Sequence, residues 1–189
     1  MKYFPMICLA LFCAMSLSAQ TDIRLAGHSL GETAETFFST AMASESKQLT
    51  SDYCNKLLND AEAMRRYEAS KNGLNKKDFL LSDVGGCQSV MAAIRGERAV
   101  VGARLASELG KGHVLFVSGK LTSFSLFSES SYADAVAAMK KRLGVKGRKY
   151  EAPQVSEGVR WDVAGITAMV WKMKYSDKVC IDLGYTGVD

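Results

Sequence analysis

Proline is almost missing from this sequence: Pro5 and Pro153 are the only two in 189 residues, which excludes a proline-rich linker and argues against an extended disordered tract. Histidine is equally scarce. His28 and His113 stand far apart, so the sequence offers no metal site and asks for no cofactor. There is no Cys-x-x-Cys pair, so a thioredoxin-like redox motif is not expected. Charge of one sign is lacking too: 24 basic side chains face 20 acidic ones, which gives no global case for nucleic acid or an anionic membrane as partner. No apolar run approaches the roughly 20 residues that would span a bilayer, so a transmembrane segment is not expected.

The beginning of the chain carries a sorting pattern. A single cation at Lys2, an apolar stretch over residues 6–15 and small residues before Gln20 make residues 1–19 a secretory signal peptide, with cleavage expected after Ala19. The protein is therefore expected to be exported, periplasmic or secreted. Lipid attachment is not expected, because Ile7 and Phe12 precede Cys8 and Cys13 where a small residue is needed. Residues 20–189 then form a single domain, long enough to bury about two thirds of its unfolded surface around one core. Within it, residues 20–86 read as mainly helical and residues 87–189 as sheet plus helix.

Export removes Cys8 and Cys13 and leaves Cys54, Cys87 and Cys180 in an oxidising compartment. Cys180 sits inside the strand-like run Val179-Cys180-Ile181, so the expected disulfide is Cys54 to Cys87. The alternative is three buried thiols packing as small hydrophobes.

Periodicity supplies the elements. Residues 32–43 and 46–70 read as helices, the second with Leu49, Tyr53, Leu57, Ala61, Met64 and Tyr67 along one face. Residues 72–86 read as a long packed loop with an apolar plug at Phe79, Leu80 and Leu81, followed by a short helix over 88–94. Residues 98–105 alternate as a strand, and residues 113–117 and 121–127 flank Ser118-Gly119-Lys120 as a hairpin. Ser131 then starts a helix that Gly144 ends, with Lys140, Lys141 and Arg142 in its last turn. Strands over 159–163, 166–174 and 179–185 complete a meander. The fold class expected is α+β: an antiparallel sheet of about five or six strands, helices packed on one face, and a helical N-terminal half.

The order Phe116-Val117-Ser118-Gly119-Lys120-Leu121, then Tyr132 through Leu143-Gly144, then Trp161 before the strand at Ile166, resembles small exported bacterial α+β modules. The likeness runs over residues 87–185 and extends distantly to the modules of β-lactamase inhibitor proteins and of outer-membrane-assembly lipoproteins. It implies a bacterial envelope protein that binds other proteins and carries no active site.

Two segments carry candidate chemistry. Gly27-His28-Ser29-Leu30-Gly31-Glu32 matches the G-x-S-x-G nucleophile elbow and resembles the active-site segment of acyltransferases and lipases. An esterase would use Ser29 as nucleophile and His113 as base. The bland alternative is a pair of turn glycines around a helix cap near Glu32. The second segment holds Lys140, Lys141, Arg142, Lys146, Arg148 and Lys149 within ten residues, a candidate binding surface for an anionic polymer or an acidic protein face. Export removes most nucleic-acid targets, and few aromatics interleave with these cations. The sequence thus favours a non-enzymatic exported protein that binds an envelope or extracellular protein or polymer; a small serine esterase is the alternative.

Overall fold

The structure, a computed structural model, describes residues 23–40, 47–70, 80–94 and 99–186. The expected signal peptide, residues 1–19, lies outside the described residues. In chain order the elements are β1 (Arg24–Leu25), β2 (His28–Ser29), α1 (Ala34–Thr40), β3 (Gln48–Leu49), α2 (Ser51–Asn59), α3 (Ala61–Ser70) and α4 (Leu80–Ile94). There follow β4 (Val100–Ser107), β5 (Gly110–Val117), β6 (Lys120–Ser128), α5 (Tyr132–Leu143), β7 (Arg148–Lys149), β8 (Val155–Val163), β9 (Ile166–Met173) and β10 (Val179–Tyr185). The fold is α+β. Eight strands form one antiparallel sheet in the order β3-β4-β5-β6-β10-β9-β8-β7, and β1 and β2 make a separate two-stranded hairpin. Among the described residues no helix is long and apolar enough to cross a membrane.

The sheet joins two meanders. β4, β5 and β6 follow one another by hairpins, β8, β9 and β10 do the same, and β10 closes the two by pairing with β6 from Val179↔Ser128 to Gly184↔Ser123. α5 makes the crossover between them. Ser131 caps it by accepting from the Asp134 amide, and Gly144, at φ 69°, ends it in the left-handed region with its N–H on the Lys140 carbonyl.

Helices cover both faces of the sheet, which differs from the expected packing on one face. In β5, Val114 and Phe116 point to the side where Ala135, Met139 and Leu143 of α5 and Phe37 of α1 complete the larger core. His113, Leu115 and Val117 alternate to the other side. There Leu49, Cys54, Cys87, Val90 and Val100 form a second core beneath α2 and α4. The alternation of β4 places Val100, Gly102 and Arg104 on this second side, where Val100 joins the core and Arg104 reaches Asp83 of α4.

The loop expected over residues 72–86 also gives way in its described part. α4 begins at Leu80 and runs straight through Gly85 and Gly86. The glycines are not a turn but a contact: a Cβ on Gly86 would lie 2.5 Å from Leu49 Cδ1, and one on Gly102 of β4 would lie 3.1 Å from Val90 Cγ2. Missing side chains on both partners let the helix approach the strand closely. Similarly, the single helix expected over 46–70 breaks at Asp60, whose carboxylate accepts from the amides of Glu62 and Ala63 and so starts α3 afresh.

Candidate functional site

The Gly27 to Glu32 segment folds as two consecutive turns rather than as a strand-to-helix elbow. Ala26 and Gly27, at φ 52° and 87°, make the tight turn between β1 and β2. The Glu32 amide then donates to the Ser29 carbonyl, with Gly31 at φ 85° in the bend. Gly31 has a second reason to be glycine, since a Cβ there would stand 2.8 Å from the Tyr185 hydroxyl. Backbone bonds from Gly31 to Leu121, from Leu121 to Glu32 and from Ala34 to Gly119 fasten this segment along the start of β6.

These turns build a cleft. Glu32 accepts from the Ser29 amide at 3.2 Å, and its carboxylate lies 3.2 Å from His28 Nδ1. The His28 ring is buried and rests on Phe37 with centroids 4.1 Å apart. A carboxylate and an aromatic ring therefore fix the imidazole, and Nε2 has no protein partner among the described residues. The cleft measures about 820 Å³, and its walls include Arg24, His28, Ser29, Glu32, Lys120 and Tyr185, with threonine hydroxyls from α1. Its size falls within the range of small-molecule sites.

Ser29 and His113 do not come together. Ser29 lines the cleft on the side of the larger core, whereas His113 lies on the opposite side of the sheet, against Gly85 and Gly86 of α4. Burial lowers the His113 pKa from 6.5 to about 4, with Asp83 opposing the shift, and its Nδ1 has no hydrogen-bond partner among the described residues. Among the described residues no hydrogen bond joins the Ser29 hydroxyl to either imidazole.

The cations of the second candidate surface divide into two groups. Arg142 pairs with Glu108, Arg148 with Asp162 at 2.7 Å, and Lys149 with Glu151. Lys140, Lys141 and Lys146 are exposed and make no ion pair among the described residues. Arg148 and Lys149 form β7, the edge strand, where charged side chains discourage pairing with another chain. Arg160 and Arg148 together hold the Asp162 carboxyl down at about 2, the Arg160 hydrogen bond being the main cause.

Cys54 of α2 and Cys87 of α4 stand at disulfide distance with Cα atoms 4.8 Å apart, and Cys180 is a buried free thiol.

Two arrangements had no local sequence signal. Asp83 of α4 receives Arg104 Nε at 2.7 Å and a second guanidinium nitrogen at 2.6 Å, together with the Tyr53 hydroxyl at 2.9 Å. Asp182 of β10 accepts from Ser125 and from the Trp171 indole, each at 2.6 Å, and burial raises its pKa. Both depend on strand register and helix placement across long separations. The His28 to Glu32 spacing of four was legible, but it is the turns, not a helix, that bring the two together. No family model, curated protein or solved structure matches the chain, so the side chains speak through their geometry alone.

Proposed function

We propose that this chain is an exported, non-enzymatic binding protein whose ligand sits in the cleft between the β1–β2 hairpin, α1 and the start of β6. One observation carries the reading: the turns around Gly27 and Gly31 converge a fixed imidazole, a carboxylate, hydroxyls and two cations on one concavity of about 820 Å³. The cysteine pair supports an extracellular setting. Lys140, Lys141 and Lys146, exposed beyond the cleft, supply a second contact for an envelope polymer or an acidic protein face.

The absence of a base on Ser29 favours binding over hydrolysis. A serine nucleophile needs a base, an imidazole or a lysine amine, within hydrogen-bond reach of its Oγ, and among the described residues no such bond reaches Ser29. His28 Nδ1 is taken up by Glu32, and no hydrogen bond joins its ring to the neighbouring Ser29 hydroxyl among the described residues. Incubating the mature protein with a fluorophosphonate probe and with bacterial envelope fractions tests the reading. Retention on the envelope fraction without labelling of Ser29 is the expected result; stoichiometric labelling of Ser29 would replace binding with esterase chemistry.

A further inference from the structure

We infer that the cleft selects an anionic saccharide, a short sugar chain carrying a carboxylate or phosphate group. The inference rests on the cleft being the binding site and adds the class of ligand.

The argument begins from the charges. Glu32 is already satisfied, since His28 Nδ1 and the Ser29 amide both take its carboxylate. It therefore acts as an internal counter-charge more than as a site for a cationic ligand. Lys120 is different. It stands exposed at the turn between β5 and β6, held beside the cleft by the bridge from Thr33 to Lys120 and by the bonds of Gly31 and Glu32 to Leu121. No ion pair among the described residues takes up its ammonium. Arg24 lines the same wall. A cleft whose carboxylate is committed and whose lysine ammonium is not attracts a ligand oxyanion.

The remaining lining asks for hydroxyls. Ser29, Thr33, Thr36, Thr40 and the Tyr185 phenol all reach the wall, and each both donates and accepts. His28 Nε2, on a ring held in place from below, adds one more polar point. Thr33 and Thr36 bond each other through their hydroxyls and Thr40 donates to the Thr36 carbonyl, so these three are already partly satisfied. An apolar ligand would leave the Ser29 and Tyr185 hydroxyls and His28 Nε2 without partners, at the cost of their desolvation. A polyhydroxylated molecule partners them, and the volume accommodates more than a single sugar ring. Lys120 is the residue that distinguishes an acidic sugar from a neutral one.

The test is calorimetric binding of the mature protein to digalacturonate, glucose 6-phosphate and cellobiose, repeated with Lys120→Gln and with Thr36→Trp, whose indole would fill the cleft. Thermal melts check that both variants fold as the parent does. The expected result is binding of at least one acidic sugar about tenfold tighter than cellobiose, weakened about tenfold by Lys120→Gln and abolished by Thr36→Trp. Which of the two acidic sugars binds tells whether the anion is carboxylate or phosphate. Equal affinity for cellobiose and the acidic sugars, abolished by Thr36→Trp, would overturn the ligand class and leave the cleft as the site. Binding that survives Thr36→Trp unchanged, or no binding of any of the three, would overturn both.

Discussion

His113 lies so close beneath Gly86 that a Cβ on that glycine would stand 3.0 Å from the imidazole Cγ and 3.1 Å from its Cβ. Helix α4 thus rests directly on a strand side chain, with no room for a methyl group between them. At Gly85, one residue earlier, the nearest His113 atom would be 3.6 Å away, an ordinary contact.

The two glycines should therefore respond oppositely to alanine. Both lie inside a helix, where alanine gains up to about 1 kcal/mol over glycine by propensity. Gly85→Ala should keep that gain and raise stability by about 0.5–1 kcal/mol. Gly86→Ala must displace either Leu49 or the base of His113, and overpacking of this kind costs about 1–3 kcal/mol. Urea denaturation of the two variants should show midpoints on opposite sides of the parent's; a shift of Gly86→Ala in the stabilising direction would mean that α4 sits farther from the sheet.

The same burial makes stability depend on pH. His113 titrates near 6.5 in an unfolded chain and at about 4 when folded, so the folded state disfavours its proton. The stability that this neutral imidazole confers is complete above about pH 6.5 and is lost as pH falls toward 4, amounting to about 3 kcal/mol over that window. Asp162, held at about 2 by its arginine partners, loses its contribution only below its ordinary 3.8, so the two windows separate. Asp182, whose pKa burial raises, acts in the opposite direction, so the His113 contribution is read as a difference. Relative to a His113→Leu variant, the parent should lose about 3 kcal/mol between pH 6.5 and 4. Parallel profiles for parent and variant over that window would show that His113 is not buried neutral.

Local chemistry made the second half of the chain largely readable. Ser131, Gly144 and the Ser118-Gly119 turn act within a few residues of themselves, so the hairpin, α5 and the β8 to β10 meander stand close to where alternation and capping placed them. The first half depends on distant partners. Gly85-Gly86 has the composition of a turn, and only Leu49 and His113, far away in sequence, make it a helix that touches a sheet. The cleft was legible in part for the same reason. The Gly27 to Glu32 turns are local, whereas Lys120 and Tyr185 reach the cleft through β6 and β10.

Cys54 and Cys87 join α2 to α4 across 33 residues. In the chain-entropy account, closing such a loop contributes about 3–4 kcal/mol by restricting the unfolded chain. Replacing both cysteines with alanine should lower stability by about that much, and reductant should reproduce the loss in the parent but change nothing in the double variant. Because Asp83 also anchors α4 through Arg104, the fold should persist in mild conditions. If the double variant melts with the parent, the pair is not oxidised in the native protein.

Cys180 provides a separate readout of the packing of β10. Burial is the main cause pushing its thiol well above the ordinary cysteine range, Asp182 adds to the shift, and Lys178 opposes it. The thiolate is the reactive form, so a thiol with a raised pKa and no access from solvent reacts slowly for two independent reasons. Iodoacetamide at pH 8 should leave Cys180 of the folded protein unlabelled and should modify it once urea unfolds the chain without reductant. Below the unfolding transition the labelling rate should rise with the population in which the strand pair between Cys180 and Phe127 is open. Rapid modification in native buffer would show instead that this part of the sheet opens readily, and would weaken the placement of β10 at its centre.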